Sequence, residues 1–158
     1  AIGFILHHVM PGTLGGMKFD LFLSFVFISL LLNVTFKNAL LTGLLGGILT
    51  AMTTSFPGGQ LPNILDKMVT CIILFFIIKL MGKYKDKKVL VGVIAFLGTL
   101  ISGTVFLASA LFMVGLPAPF TALFVSIVLP ATLTNTFITL VVHQIVLNAL
   151  KVTGVKFV

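Results

Sequence analysis

The chain has 158 residues, of which 59% are hydrophobic and 8% charged, where soluble domains carry roughly 25% charged residues. Its net charge of +7 comes from ten lysines and three acidic residues, with no arginine, and no basic patch interleaved with aromatics appears. Such a composition speaks against a soluble domain and against nucleic-acid binding, and predicts an all-α integral membrane protein with one transmembrane domain over residues 1–158.

Residues 1–9 (AIGFILHHV) are apolar but far too short to span a bilayer, and read as the end of a first helix truncated at the N-terminus. They carry neither the basic region nor the cleavage site of a signal peptide. A turn, MPGTLGG at 10–16, leads into an apolar helix over 17–32. The connection NVTFKN is followed by a helix over 37–55. The stretch TTSFPGGQLPNILDK at 53–67 reads as a Gly/Pro turn that opens a helix over 64–81. A lysine-rich loop, GKYKDKK at 82–88, precedes a span over 89–116, and the turn LPAP introduces the last helix over 120–151. Completing the first helix makes six spans. Cys71 has no partner for an intramolecular disulfide and reads as a small core residue.

Alternating loops place Lys37, Lys79, Lys83, Lys85, Lys87, Lys88, Lys151 and Lys156 on one side and only Lys18 and Lys67 on the other. By the positive-inside rule the first side, with the C-terminus, is cytoplasmic. The turns at 10–16, 56–63 and 116–119 then face outward. Gly43 and Gly47, Gly98 and Ser102, and Thr99 and Gly103 are spaced four apart, as tight helix packing within one chain requires.

The outward side has few charges, yet it holds Lys18 near Asp20 and Lys67 beside Asp66. Asn63 and Asp66 have the spacing of a capping box at the start of the 64–81 helix. Lys67 would then oppose the helix dipole in the first turn, so it needs a carboxylate partner or an external anion. Gly58 and Gly59 allow close backbone approach, and Gln60 and Asn63 offer donors and acceptors. A lysine, a carboxylate, exposed amides and a helix N-terminus together suit a zwitterion such as an amino acid. Phe4, Phe19 and Phe56 are candidates for an apolar wall. Asn135 lies deep in the last helix near Pro130, where a polar side chain faces the bundle interior or a cavity and the proline kinks the helix. It serves either cross-helix bonding or ligand contact.

His7 and His8 are adjacent, so they point about 100° apart on a helix and cannot form an i, i+4 metal pair. No metal site is expected. One of the two is expected to line the outer cavity, and His8 is counted with the site residues. Nothing matches GxSxG, HExxH, a P-loop or an acidic Mg²⁺ cluster, so no catalytic residues and no enzymatic activity are expected.

At GMKFD (16–20) and above all TTSFPGGQLPNILDK (53–67), the sequence resembles the bacterial tryptophan transport protein family, TrpP. The resemblance extends over the whole chain in hydropathy and segment order. It implies the substrate-binding, or S, component of an energy-coupling factor importer: a six-helix bundle in the bacterial cell membrane that captures L-tryptophan from outside. Its implied partners are a transmembrane coupling protein and two cytoplasmic ATPases, which use the ATP, so no cofactor is expected in this chain. The implied substrate site comprises Lys18, Asp20, Phe56, Gly58, Gly59, Gln60, Asn63, Asp66, Lys67, Asn135 and His8, with a carboxylate taking the ammonium and a lysine the carboxylate. Small residues on helix 1, here Ala1 and Gly3, correspond to the family's coupling surface. Asp66→Ala or Lys67→Ala is expected to weaken tryptophan binding in a folded protein. The alternative is a stand-alone secondary transporter driven by ion gradients, for which an intramembrane acidic relay would be favourable.

Overall fold

The computed structural model describes residues 2–12, 16–82 and 87–153, with only the backbone of Lys87. Ala1, Lys83, Lys85, Asp86 and Lys156 lie outside the described residues. Six helices and no strand occur among the described residues: α1 (Ile2–Val9), α2 (Phe22–Leu32), α3 (Phe36–Thr53), α4 (Gln60–Met81), α5 (Lys87–Met113) and α6 (Phe120–Thr153). The segments over 88–113 and 120–153 are long and apolar enough to cross a membrane. Asp66 and Lys67 interrupt the apolar run of α4, and α2 has only 11 residues.

The consecutive helices α3, α4 and α5 run antiparallel, as their contacts show. Gly43 of α3 abuts Lys67 and Met68 of α4, while Gly47 abuts Ile64. A Cβ at Gly47 would lie 2.8 Å from the Ile64 Cα, so only glycine permits this approach. The α4–α5 pair is set by Asp66 against Ser102 and by Leu74 against Gly98. Gly103 packs on Val128 of α6. The glycine spacings seen in the sequence thus serve packing within the chain. Gly3 is buried as well: an added Cβ would lie 2.8 Å from the rings of Phe22 and Phe25. It faces α2 and is not on an exposed coupling surface.

Two helix starts and one helix interior differ from their sequence expectation. The 17–21 stretch is not helical but folds inward ahead of α2, with Met17 buried. Helix α4 begins at Gln60, earlier than expected, because Pro62 falls in its first turn, where a missing N–H costs nothing. Asn63 is therefore not an N-cap; its Nδ2 donates to the Gly59 carbonyl at 2.7 Å, and the capping box with Asp66 does not form. Near Pro130, α6 does not simply kink but widens into a π-helical turn over Phe124–Val128. The proline ring would collide with the carbonyl four residues back, and the wider turn relieves that contact. At the opposite end the caps are regular: the Thr35 hydroxyl accepts from Asn38 N–H at 3.2 Å and starts α3.

Two apolar clusters hold the bundle. One, around Phe27, Leu74, Ile94 and Cys71, lies toward the end bearing Lys37, Lys79 and Lys151. The other, around Met17, Phe56, Leu107, Leu123 and Ile127, lies toward the turns at 16–20, 54–59 and 114–119.

Candidate functional site

Between these clusters, at the turn end, a cavity of about 70 Å³ is lined by residues of α1, α2, α4, α5 and α6 and of the turns at 16–20 and 54–56. The 54–59 turn is tied to the 16–20 segment: Ser55 Oγ donates to the Gly16 carbonyl at 2.8 Å. Gly16 itself has φ +80°, and a Cβ there would lie 2.5 Å from the Ser55 carbonyl oxygen. A left-handed glycine is what lets the chain bend Met17, Lys18 and Asp20 into the bundle.

The polar wall centres on Lys67, which is 1% exposed. Its Nζ donates to Asp20 Oδ2 at 2.6 Å and to both oxygens of Asp66, at 2.9 and 3.0 Å. Asp66 also accepts from Ser102 Oγ at 2.6 Å. Asp66 and Lys67 are the seventh and eighth residues of α4, beyond its first turn, so Lys67 is not placed against the helix dipole there. Its compensation comes from two carboxylates on different segments. A buried charge is tolerable when it is paired and hydrogen-bonded in this way.

Lys18 does not pair with Asp20. Its Nζ donates to the carbonyls of His7, His8 and Thr53, at 3.3, 3.4 and 3.0 Å. It therefore gathers the C-terminal ends of α1 and α3, where a cation complements the negative end of each helix. Asn135, 1% exposed, donates from Nδ2 to the Asp20 carbonyl at 3.1 Å, joining α6 to the segment before α2. His7 is buried on the cavity, with Nδ1 2.6 Å from Thr53 Oγ1 and Nε2 3.9 Å from Asp20 Oδ1. The apolar wall includes Phe56 and Phe106, whose rings meet edge to face with centroids 5.5 Å apart.

Of the residues singled out from sequence, the cavity brings together Lys18, Asp20, Phe56, Asn63, Asp66, Lys67 and Asn135. It does not include His8, Gly58, Gly59 or Gln60. His8 is exposed and lies against Phe4, with ring centres 6.4 Å apart. Gly58 (φ +70°) shapes the turn, and Gly59 precedes α4 and donates to the Phe56 carbonyl at 2.9 Å. Gln60 points outward. Phe19 packs in the apolar cluster beside the cavity. Sequence reasoning expected one of His7 and His8 on the cavity and counted His8, where the structure places His7; it missed Thr99, Ser102 and Phe106 as lining residues. For Thr99 and Ser102 a signal existed: two hydroxyls three apart on one face of an otherwise apolar helix. Among the described residues no group of three His, Cys, Asp or Glu side chains could hold a metal.

The family model for the tryptophan transporter TrpP matches residues 1–151. A probable tryptophan transport protein of Clostridium acetobutylicum is 43% identical over 155 residues, covering 96% of this chain and 89% of the relative. One from Bacillus subtilis is 44% identical over 151 residues, with 96% and 87% covered. A third, from Clostridium perfringens, is 43% identical over 160 residues, with 96% and 88% covered. No solved structure matches the chain. These relatives are named as transport proteins, not enzymes, and with the family match they show that the chain belongs to the TrpP family of tryptophan transporters.

Proposed function

We propose that this chain is the substrate-binding membrane subunit of an energy-coupling factor importer, which captures L-tryptophan from outside in the cavity at the turn end. It is one transmembrane domain in the bacterial cell membrane. The lysine-bearing end and the C-terminus are cytoplasmic, where a coupling protein and two ATPases supply the energy. Membrane embedding is supported by the exterior, on which Phe76, Phe112, Leu133 and Phe137 are 54–88% exposed. A soluble surface would not leave so many large apolar side chains in water.

The observation that carries the substrate assignment is the cavity itself. It joins the Asp20–Lys67–Asp66 cluster, with Asp66 and Lys67 buried, to Phe56 and Phe106 in one cavity, on the side of the bundle away from the exposed lysines. A charged amino-acid head and an aromatic side chain match those two walls. The names carried by the relatives supply the choice of tryptophan.

Calorimetric titration of the purified protein with L-tryptophan tests this, with phenylalanine and tyrosine as competitors. The chain contains no tryptophan, so ligand fluorescence gives a second signal free of protein background. Saturable binding with weaker competition by the other two is expected; no binding by folded protein would overturn the assignment. Uptake into liposomes is expected only with the ATP-fuelled module present. Uptake by the chain alone under an ion gradient would favour the secondary transporter instead.

A further inference from the structure

Two buried hydrogen-bond acceptors line the cavity with no donor to serve them, and a third faces them in one tautomer of His7. Asp20 Oδ1 and Asn135 Oδ1 are both buried and accept no hydrogen bond. The orientation of the Asn135 amide follows from its partner: Nδ2 must face the Asp20 carbonyl, to which it donates, and this leaves Oδ1 open. A third acceptor is His7 Nε2 in one of the two neutral tautomers: when Thr53 Oγ1 gives its proton to the Leu49 carbonyl at 2.9 Å, it accepts from His7 Nδ1. The neutral ring then presents the Nε2 lone pair 3.9 Å from Asp20 Oδ1.

Lys67 directs one N–H at Asp20 Oδ2 and shares another between the two oxygens of Asp66, which lie too close together to take one N–H each. The two aspartates and one lysine also leave the cluster with a net charge of −1. Lys18, on the same cavity, turns its ammonium to backbone carbonyls and not to these carboxylates. Buried acceptors left without donors are costly in a low-dielectric site.

We propose that this wall is a cation-recognition subsite that takes a primary ammonium, with Asp20, Asn135 and His7 each accepting one of its N–H bonds. This rests on the cavity being the tryptophan site, and it reverses the symmetric picture of one charged partner for each end of the zwitterion. The ligand's ammonium, not its carboxylate, decides binding. Lys67 holds the two aspartates in place.

Competition against L-tryptophan on the purified protein tests the inference, using tryptamine, which lacks the carboxylate, and indole-3-propionate, which lacks the ammonium. Tryptamine is expected to displace tryptophan at a concentration at least 100-fold lower than indole-3-propionate does. Equal or better competition by indole-3-propionate, or no competition by tryptamine, would overturn the subsite while leaving tryptophan binding intact. Absence of tryptophan binding altogether would remove the proposed function and this inference with it. In Asp20→Asn, which makes the cluster neutral, tryptamine affinity is expected to fall at least tenfold; wild-type affinity there would also overturn it. Should that variant not fold, the competition on the wild-type protein decides alone.

Discussion

Helices α2, α4 and α5 meet twice along their length, and the two meetings are built differently. Toward the exposed lysines they close on Phe27, Leu74, Ile94 and Ala95, all buried and apolar. Toward the turns, the same helices and the segment ahead of α2 bring Asp20, Asp66, Lys67 and Ser102 together. The first meeting needs only complementary shape, because apolar side chains gain from burial whatever their neighbours. The second needs a partner for every buried polar atom, and it leaves Asp20 Oδ1 and Asn135 Oδ1 unmet. One half of the bundle is closed by apolar packing, and the other keeps buried acceptors open on a cavity.

That division can be broken most severely at Lys67. Lys67→Ala would leave two buried carboxylates without their cation, a loss of about 3–5 kcal/mol. The expected result is a protein in detergent that no longer melts cooperatively. The sequence alone led to the expectation of a folded variant with weakened binding; burial of Lys67 at 1% exposure reverses it. A melt like that of the wild type would show that the cluster does not hold the bundle together.

A cut in the apolar half should separate stability from binding. Leu74→Ala, at a fully buried position away from the cavity, is expected to cost about 2–5 kcal/mol. Tryptophan affinity at temperatures where the variant is folded should stay within a factor of about three of wild type. A larger change would mean that the two halves are energetically coupled.

The converse variant is Phe106→Ala. It removes an aromatic ring from the cavity wall, and affinity measured by calorimetry should fall about tenfold, since an aromatic contact with the ligand's ring adds about 0.5–1.5 kcal/mol beyond its buried area. Its melting temperature should drop less than that of Leu74→Ala, because Phe106 is only partly buried. The smallest effect is expected from Lys18→Gln. Its partners are backbone carbonyls at two helix ends, so stability should change by about 0.3–1 kcal/mol. Tryptophan affinity should change only a few-fold, with tryptamine affinity unaltered.

Much of the molecule could be read from local pattern. Apolar runs, Gly/Pro turns and clustered lysines located the six helices within a few residues, because helix formation and its interruption depend on neighbours in the chain. The small residues at 43, 47, 98 and 103 marked helix contacts for a similar reason: close approach needs a missing side chain wherever the partner lies. Charged residues on the sparsely charged side, with Asn135, pointed to much of the cavity wall, since polar groups in apolar surroundings need a purpose.

What the sequence by itself determined, then, is the helical architecture, the asymmetry of charge between its two ends, and membership in the tryptophan transporter family. Only the tertiary structure decided which charges meet. Lys67 pairs with Asp20 across 47 positions, Asn135 reaches the Asp20 carbonyl from 115 positions away, and Lys18 caps two helix ends instead of joining a carboxylate. It also chose His7 over His8, two neighbours whose side chains leave the same helix about 100° apart. Helical periodicity records which face of each helix a residue occupies. The rotation and register of one helix against another, which carry these side chains to hydrogen-bond distance, arise only when all of them pack.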